Sequence, residues 1–267
     1  MTDLPADLGP LMREARDIAR DAGAAIMEIY NSDFAVEHKA DDSPLTAADM
    51  AAHNLIVERL GAISDWPILS EESKAIPFSE RSRWTTYWLV DPLDGTKEFV
   101  KRNDEFTVNI ALIHDHRPVL GVVYAPALDL MYYAAEGQGA WKEAAGGEPQ
   151  PISCRELDPD NLVLSSSKSH RNADLEAFLE RLGPQSATPM GSSLKFCLVA
   201  EGKADLYPRI GLTSEWDTGA AQAVVEQAGG HVTTTDMQPL AYNTKDDLLN
   251  PWFFVFGKTW TDWSRYL

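Results

Sequence analysis

Asp91-Pro92-Leu93-Asp94-Gly95-Thr96 places two carboxylates, a backbone carbonyl, a glycine and a hydroxyl directly after the apolar run Tyr87-Trp88-Leu89-Val90. Hard divalent cations take oxygen ligands of this kind. Mg²⁺ takes few of them, held rigidly and shared with a substrate phosphate. Pro92 fixes one φ angle, so the two side chains are restrained relative to each other. Gly95 and Thr96 can open a short helix whose unpaired N–H groups suit a phosphate oxygen. Three more acidic segments have the same character. Ser70-Glu71-Glu72-Ser73 follows Pro67-Ile68-Leu69, again at the end of an apolar stretch. Asp49 follows Thr46 at nearly the spacing of a capping box. Glu215-Trp216-Asp217 precedes Thr218-Gly219-Ala220-Ala221, small residues that let a helix approach its neighbour closely. Each has an ordinary explanation when taken singly. An acid in a first helical turn favours the macrodipole, and paired acids often make a solvated turn. Spacing alone does not bring the four segments together.

The elements that must position these residues are legible in the hydrophobic pattern. Leu8, Leu11, Met12, Ala15, Ile18, Ala19, Ala22, Ile26 and Ile29 recur at helical spacing and predict a helix over 8–30. Asp41-Asp42-Ser43-Pro44 reads as a turn, and the segment from Thr46 to about Gly61 as a second helix. Residues 85–90 read as a buried strand, and Phe106, Val108, Ile110 and Leu112 alternate along another. Val119–Tyr124 and Leu130–Ala135 flank Pro126-Ala127-Leu128-Asp129 as a hairpin. Gly137–Pro151 is rich in Gly, Glu and Pro and is the expected boundary between an N-terminal lobe (1–149) and a C-terminal lobe (150–267). Strands at 161–165, 204–207, 231–235 and 252–256 then alternate with helices at about 173–182, 192–201 and 217–228, the last ended by Gly229-Gly230. Alternation in both halves predicts layered α and β.

Composition narrows the function. The 267 residues carry a net charge of −18, which repels nucleic acid and anionic lipid. The same surface repels an anionic substrate unless bound cations or local basic residues reverse the sign at the site. Cys154 and Cys197 are too few for a disulfide scaffold and read as packing thiols. No segment approaches the length of an apolar membrane span, and no leader pattern opens the chain. The expectation is a soluble protein of a reducing compartment. There is no Gly-x-Ser-x-Gly motif, and neither cysteine sits in an obvious phosphate loop, so no covalent nucleophile competes with metal-assisted hydrolysis.

Ser70-Glu71-Glu72-Ser73, Asp91-Pro92-Leu93-Asp94-Gly95-Thr96 and Trp216-Asp217-Thr218-Gly219-Ala220-Ala221, in this order, resemble the inositol monophosphatase superfamily of Mg²⁺-dependent, lithium-sensitive phosphatases. The longer run Tyr87–Phe99, with Phe106–Ile113 and Gly191-Ser192-Ser193-Leu194-Lys195-Phe196-Cys197, is similar to its CysQ-type 3′(2′),5′-bisphosphate nucleotidases. One departure is Gly219-Ala220-Ala221, where that subfamily usually has Ala-Ala-Gly. The resemblance implies an α+β fold, a layered α/β/α/β/α sandwich of two lobes with a mostly antiparallel N-terminal sheet. It implies that Glu71, Asp91, the carbonyl of Leu93, Asp94 and Asp217 hold two or three Mg²⁺ ions. Glu72 would hold a water, and Thr96 with Asp49 would orient and deprotonate the attacking one. Gly95 and Thr96 N–H groups would grip the phosphate.

For the substrate, Ser165-Ser166-Ser167-Lys168-Ser169-His170 and Gly191-Ser192-Ser193 with Lys195 are short polar loops able to take a second phosphate or a sugar. In the context of the resemblance, Ser165, His170, Gly191, Ser192, Lys195 and Asp217 are the expected contacts. Tyr207 and Arg209 are considered for the base without being assigned. The implied reaction removes the 3′-phosphate of adenosine 3′,5′-bisphosphate, a by-product of sulfur metabolism, giving AMP. The alternatives are an inositol monophosphatase or sugar-bisphosphate phosphatase of the same fold, and a non-catalytic Mg²⁺- or nucleotide-binding regulator. The expected partner is the small nucleotide alone, with no nucleic acid and no integral membrane segment. Monomer and homodimer both stay open. The expected location is the cytoplasm, with the cytoplasmic face of the inner membrane as the alternative.

Overall fold

The apolar stripe of the first helix and the strands that follow it form one side of the molecule. The structure, a computed structural model, describes residues 4–32, 44–167 and 172–267. In chain order the elements are α1 (Gly9–Tyr30), α2 (Pro44–Ile63), β1 (Ile68–Ser70), α3 (Phe78–Arg81), β2 (Thr86–Asp94), α4 (Thr96–Lys101), β3 (Thr107–His114), β4 (Arg117–Ala125), β5 (Leu130–Ala135), β6 (Gly139–Ala144) and β7 (Gln150–Ile152). They continue with β8 (Val163–Ser167), α5 (Ala173–Leu182), β9 (Ser186–Met190), α6 (Leu194–Ala200), β10 (Leu206–Arg209), α7 (Gly219–Gln227), β11 (His231–Thr234) and β12 (Phe253–Phe256).

Strands β1 to β7 make one seven-stranded sheet in sequence order, antiparallel throughout except for the parallel pair β1–β2. A second sheet runs β11-β12-β10-β8-β9, with parallel pairs at β10–β8 and β8–β9. Side chains alternate across each strand, and the clusters follow that alternation. Trp88, Val90, Val108, Ile110, Leu112, Leu120 and Val122 pack against the stripe of α1 and α2. Tyr87, Leu89, Ala111, Ile113, Val123 and Tyr132 face the other way, onto α6, α7 and the Tyr207, Phe253 and Val255 side of the second sheet. Leu164, Leu206, Phe254 and Phe256 close the far side against Leu175 and Phe178 of α5. The layers are therefore α/β/α/β/α, an α+β sandwich with its first sheet mostly antiparallel, as expected.

Several local expectations are corrected. α2 starts at Pro44, which suits a first helical turn, so Thr46 lies inside the helix and is not its cap. The turn read over Asp41–Ser43 lies outside the described residues. The Gly137–Pro151 segment is not a loose link: β6 and β7 lie there and extend the first sheet to Ile152. α6 begins at Leu194 and α7 at Gly219, each two residues later than predicted. β9 and the single turn α3 have no counterpart in the sequence reading.

The small residues of α7 do bring it unusually near the first sheet. A Cβ on Gly121 of β4 would lie 2.1 Å from the carbonyl oxygen of Ala220, and one on Gly219 would lie 3.0 Å from Leu89 Cδ2. Gly121 is required by this approach. Gly121→Ala is expected to destabilise the fold by about 2–3 kcal/mol, as overpacking does in a close-packed interior. Urea denaturation followed by circular dichroism checks this, and an unchanged midpoint would mean that α7 can stand away from the sheet at no cost.

Candidate metal centre and active-site cleft

Asp91 and Asp94 are three residues apart, so an unbroken strand would send them to opposite faces. A bulge resolves the conflict. Asp91 pairs with Asn109 and Asp94 with Thr107, so β2 carries one residue more than β3 between these pairs. Leu93 consequently turns to the α1–α2 side, with Trp88 and Val90. Both carboxylates emerge on the inter-sheet side. Pro92 sits in the bulge, where its missing N–H disturbs no ladder. Asp91 Oδ1 accepts the Leu93 N–H at 3.0 Å and closes the bend. The strand thus continues to Asp94 and does not end at Val90, as the apolar run suggested.

Glu71 is placed by strand pairing. β1 runs parallel to β2 with Ser70 opposite Val90, and Glu71 N–H donates to Val90 O at 3.1 Å. The residue therefore stands beside Asp91 at the carboxyl end of both strands, the end at which parallel strands commonly present ligands. Asp217 arrives from the facing layer on a single 3₁₀ turn, Glu215–Asp217, which precedes α7. Ser214 and Asp217 cap one another, and Asp217 Oδ2 accepts the Ser214 N–H at 2.9 Å. Carboxylate oxygens of Glu71, Asp91 and Asp217 all lie within 4.8 Å of one another.

Ser193 joins Asp94 to this group. Its N–H donates to Asp94 Oδ2 at 2.7 Å, and its hydroxyl lies 2.9 Å from the same oxygen and 2.7 Å from the carbonyl of Asp217. Asn109 Nδ2 donates to that hydroxyl at 2.9 Å. Ser193 precedes α6 but does not cap it, because its side chain is committed to the acids. Asp49, in the second turn of α2, is buried and faces Glu72 and Glu71. Its Oδ1 has no hydrogen-bond partner, and neither has the buried Asn109 Oδ1. Among the described residues no hydrogen bond links Asp49 to Thr96, which is exposed at the start of α4. The neighbour that meets Asp49 is Glu72.

The acids are shifted toward their protonated forms. Burial, then the charges of Glu72 and Glu71, push Asp49 up to about 8. Burial, then Glu72 and Asp94, push Glu71 to about 7. Burial, then Asp94, push Asp217 to about 7. Asp91 lies well above the carboxylate range, through burial and then the charges of Asp94, Glu71, Asp217 and Asp49. Burial raises Asp94 as well, against the opposing pull of Lys195 and Ser193. The site holds more negative charge than the surrounding protein balances. The donors are all oxygen, mostly carboxylate, from strand ends, a helix and a 3₁₀ turn, and two buried oxygens are unpartnered. That donor set fits a hard divalent cation such as Mg²⁺.

A cleft of about 230 Å³ opens beside the acids. Asp94, Gly95, Thr96, Gly191, Ser192, Lys195 and Asp217 all line it, and so do Tyr207 and Arg209. Gly191 is pinned: its N–H donates to Glu105 Oε2 at 2.8 Å, and a Cβ there would lie 2.7 Å from Glu105 O. Lys195 is buried, its Nζ donating to Ser192 O at 2.5 Å. Burial lowers its pKa to about 8 despite the nearby Asp94. Ser165 is not in this cleft. It is fully buried with its hydroxyl unpartnered, and it lines a separate cavity of about 630 Å³ that shares Tyr207 and Arg209 with the cleft. His170 lies outside the described residues.

The sequence reading missed Ser193 and Asn109 as members of the site and left Arg209 unassigned. Asn109 did leave a signal, as a polar residue on the inner alternation of an otherwise apolar strand. Ser193 was hidden by the ordinary role of serine before a helix.

Known proteins share the sequence and the fold. The sequence model of the inositol monophosphatase family matches residues 7–255. The chain belongs to the inositol monophosphatase family. It is 52% identical over 248 residues to the 3′(2′),5′-bisphosphate nucleotidase CysQ of Salmonella typhimurium, covering 92% of this chain and 99% of that one. It is 51% identical over the same length to the CysQ of Escherichia coli K12, with the same coverage. Among solved structures, CysQ from Bacteroides thetaiotaomicron superposes with a TM-score of 0.87 at 42% identity, over 94% of this chain and 98% of that one. The inositol monophosphatase from Anabaena superposes at 0.78 with 26% identity, over 97% and 95%. Phosphatases of the family are generally Mg²⁺-dependent. No helix among the described residues is long and apolar enough to cross a membrane.

The raised carboxyl values have a consequence for stability. Asp49, Glu71 and Asp217 titrate near 7 to 8 in the cation-free fold and near 4 in an unfolded chain. The fold therefore holds more protons than the unfolded chain between these limits. Its stability from these groups is full below about pH 4 and is lost as pH rises through about 7 to 8. In EDTA, the melting temperature is expected to fall from about pH 5 to pH 8.5, and Mg²⁺ is expected to restore it most at the upper end. Differential scanning calorimetry reads both; a flat EDTA profile would count against the charge imbalance.

Proposed function

We propose that this chain is a divalent-cation-dependent phosphomonoesterase that hydrolyses the 3′-phosphate of adenosine 3′,5′-bisphosphate to AMP and phosphate. The observation that carries the reading is the meeting of Glu71, Asp91 and Asp217 oxygens within 4.8 Å beside a cleft whose other wall bears Lys195 and Arg209. An acidic half suits cations, and a basic half suits a second phosphate. The curated relatives at about half identity over nearly their whole length are 3′(2′),5′-bisphosphate nucleotidases, which supports the same substrate class.

In this reading Glu71, Asp91, the Leu93 carbonyl, Asp94 and Asp217 hold two or three Mg²⁺ ions. When bound, these ions make water more acidic and stabilise charge on the phosphoryl group and the leaving ribose oxygen. The chain supplies the rest. Glu72 and Asp49 face one another next to Glu71, where they hold the attacking water and take its proton. Asp49 suits the task because its Oδ1 is unpartnered and it faces Glu72 and Glu71; bound cations would offset the charges that raise its carboxyl in the cation-free fold. Gly95 and Thr96 N–H groups, at the start of α4, orient the phosphate from the cleft wall. Ser193 fixes the distance between Asp94 and the Asp217 segment. Gly191, Ser192, Lys195 and Arg209 receive the sugar and the 5′-phosphate. Ser165 lines the neighbouring cavity, which shares Tyr207 and Arg209 with the cleft, and with His170 it is proposed to take the outer part of the nucleotide.

A phosphate-release panel of adenosine 3′,5′-bisphosphate, inositol 1-phosphate and fructose 1,6-bisphosphate tests the substrate class. The nucleotide is expected to give the highest kcat/KM, with no turnover in EDTA; preference for inositol 1-phosphate would reassign the substrate. Asp91→Asn is expected to lower kcat by about 10²–10³-fold with the fold retained. Lys195→Met is expected to raise KM for the bisphosphate by about ten-fold or more, the worth of a charge-assisted hydrogen bond, and to affect inositol 1-phosphate less. Equal losses on both substrates would place Lys195 at the reacting phosphate.

A further inference from the structure

Of the acids that meet at the site, Asp217 has the weakest support of its own. It stands on one 3₁₀ turn, an element of poor hydrogen-bond geometry that does not hold itself. A strap of chain, residues 242–250, lies across that turn. Glu215 N–H donates to Leu248 O at 2.9 Å, and Asn250 N–H to Thr213 O at 2.7 Å. Asn250 Nδ2 donates to Ser214 O at 2.8 Å.

The grip of the strap centres on a buried polar chain. The Glu215 carboxylate, 2% exposed, receives the Asn243 N–H on both oxygens at 2.9 Å. Asn243 adopts a left-handed backbone at φ 54°, which asparagine tolerates better than most residues. Its Oδ1 accepts Arg81 Nη1 at 2.6 Å, and its Nδ2 donates to Arg81 O at 2.6 Å. Arg81, 1% exposed, also donates from Nη2 to Asp246 O and lies 4.9 Å from the Phe78 ring centroid. The Arg81 guanidinium on α3 and the Glu215 carboxyl on the Asp217 turn, which burial pushes up to about 7, are thus buried and joined through an asparagine. None of the three side chains lines the cleft. Burying such charges is costly, and apolar residues of like volume usually do as well for stability. What apolar residues do not supply is direction: these bonds fix where the turn sits.

We propose that Arg81, Asn243 and Glu215 are positioning residues for Asp217, holding its 3₁₀ turn so that its carboxylate stays in reach of Glu71 and Asp91. The chain thereby sets the affinity of the site for its divalent cation. This inference rests on the proposed role of Asp217 as a cation ligand. Partners that orient a ligand typically alter metal affinity by about 10–100-fold when replaced.

The test compares Glu215→Gln, Arg81→Lys and Asp217→Asn with the parent chain. Mg²⁺ binding is read by calorimetry and by the Mg²⁺-dependent rise in melting temperature, alongside activity against Mg²⁺ concentration. Glu215→Gln and Arg81→Lys are expected to raise the Mg²⁺ midpoint about ten-fold or more. At saturating Mg²⁺ the KM for adenosine 3′,5′-bisphosphate stays at the parent value and kcat recovers, a split that simple loss of folded protein does not produce. If Glu215→Gln fails to fold, Arg81→Lys, which keeps charge and bulk, carries the comparison. Parent-like Mg²⁺ binding in the folded variants overturns the proposal. If Asp217→Asn weakens binding and the other two do not, the positioning role alone is lost. If Asp217→Asn also has no effect, the ligand role of Asp217 falls with it.

Discussion

Repulsion among carboxylates that the fold forces together is the constraint on which the rest of the structure depends. Asp91 is 1% exposed and has Asp94, Glu71, Asp217 and Asp49 for charged neighbours. No arrangement of these side chains is favourable in isolation, so the surrounding elements must hold them. β2 is suited to this because it is packed on both faces, by Trp88 and Val90 on one side and Tyr87 and Leu89 on the other. A strand buried twice over cannot bend away from its own acids. The bulge at Pro92 then aims Asp91 and Asp94 the same way, at the cost of one register shift. Stability gathered in two apolar clusters is what sustains the unfavourable charge between them.

The two halves of the site are kept in register by a serine. Asp94 belongs to the first sheet and Asp217 to the facing layer, and Ser193 touches both within hydrogen-bond distance. Lys195, two residues further on, leans back to Ser192 O over the same turn. The group that fixes the acids and the group that lines the basic wall therefore come from one short segment. Any movement of α6 relative to β2 would alter both at once. The close approach of α7 at Gly121 limits that freedom from the other side.

What the sequence disclosed and what it hid divide along local and long-range lines. The stripe of α1 needed only 3.6-residue periodicity. The hexapeptide from Asp91 needed only the identity of its residues, and the family resemblance supplied the rest of the ligand set. The bulge was not legible, because it exists only relative to Asn109 and Thr107 on a partner strand. β9 is a mostly exposed edge strand containing Pro189, and carries no alternation to read. β6 and β7 were hidden by Gly and Glu residues in and between them, such as Gly139 and Glu143 within β6 and Gly146, Gly147 and Glu148 before β7. Thr46 matched a capping pattern, but Pro44 two residues earlier already served the first turn. Asp49 stood out in the sequence as a polar residue of interest, and its neighbour is Glu72 from a different segment, a contact that no spacing rule encodes. Arg81 and Asn243 were invisible for the same reason, being 162 residues apart.

The net charge of −18 sharpens how the cleft must work. Each phosphomonoester of the proposed substrate carries about −1.5 to −2 near neutral pH. Lys195 and Arg209 are the cations that line the inner cleft beside Asp94 and Asp217, and Lys97 lies at its exposed edge. Lys195 is itself weakened by burial. Two phosphates would meet more negative than positive charge if the acids were ionised and cation-free. In the proposed reading the wall that bears Lys195 and Arg209 takes the 5′-phosphate. It does not suffice for the 3′-phosphate, which must approach the carboxylates themselves. Productive binding at that end therefore requires the acids to be neutralised first, by protons below about pH 7 or by divalent cations above it. Protons would occupy Asp49 along with the ligands. In the proposed reading cations would leave the acids ionised, the phosphate attracted and the base free, so the same charge imbalance that burdens the fold would make the chemistry conditional on the metal.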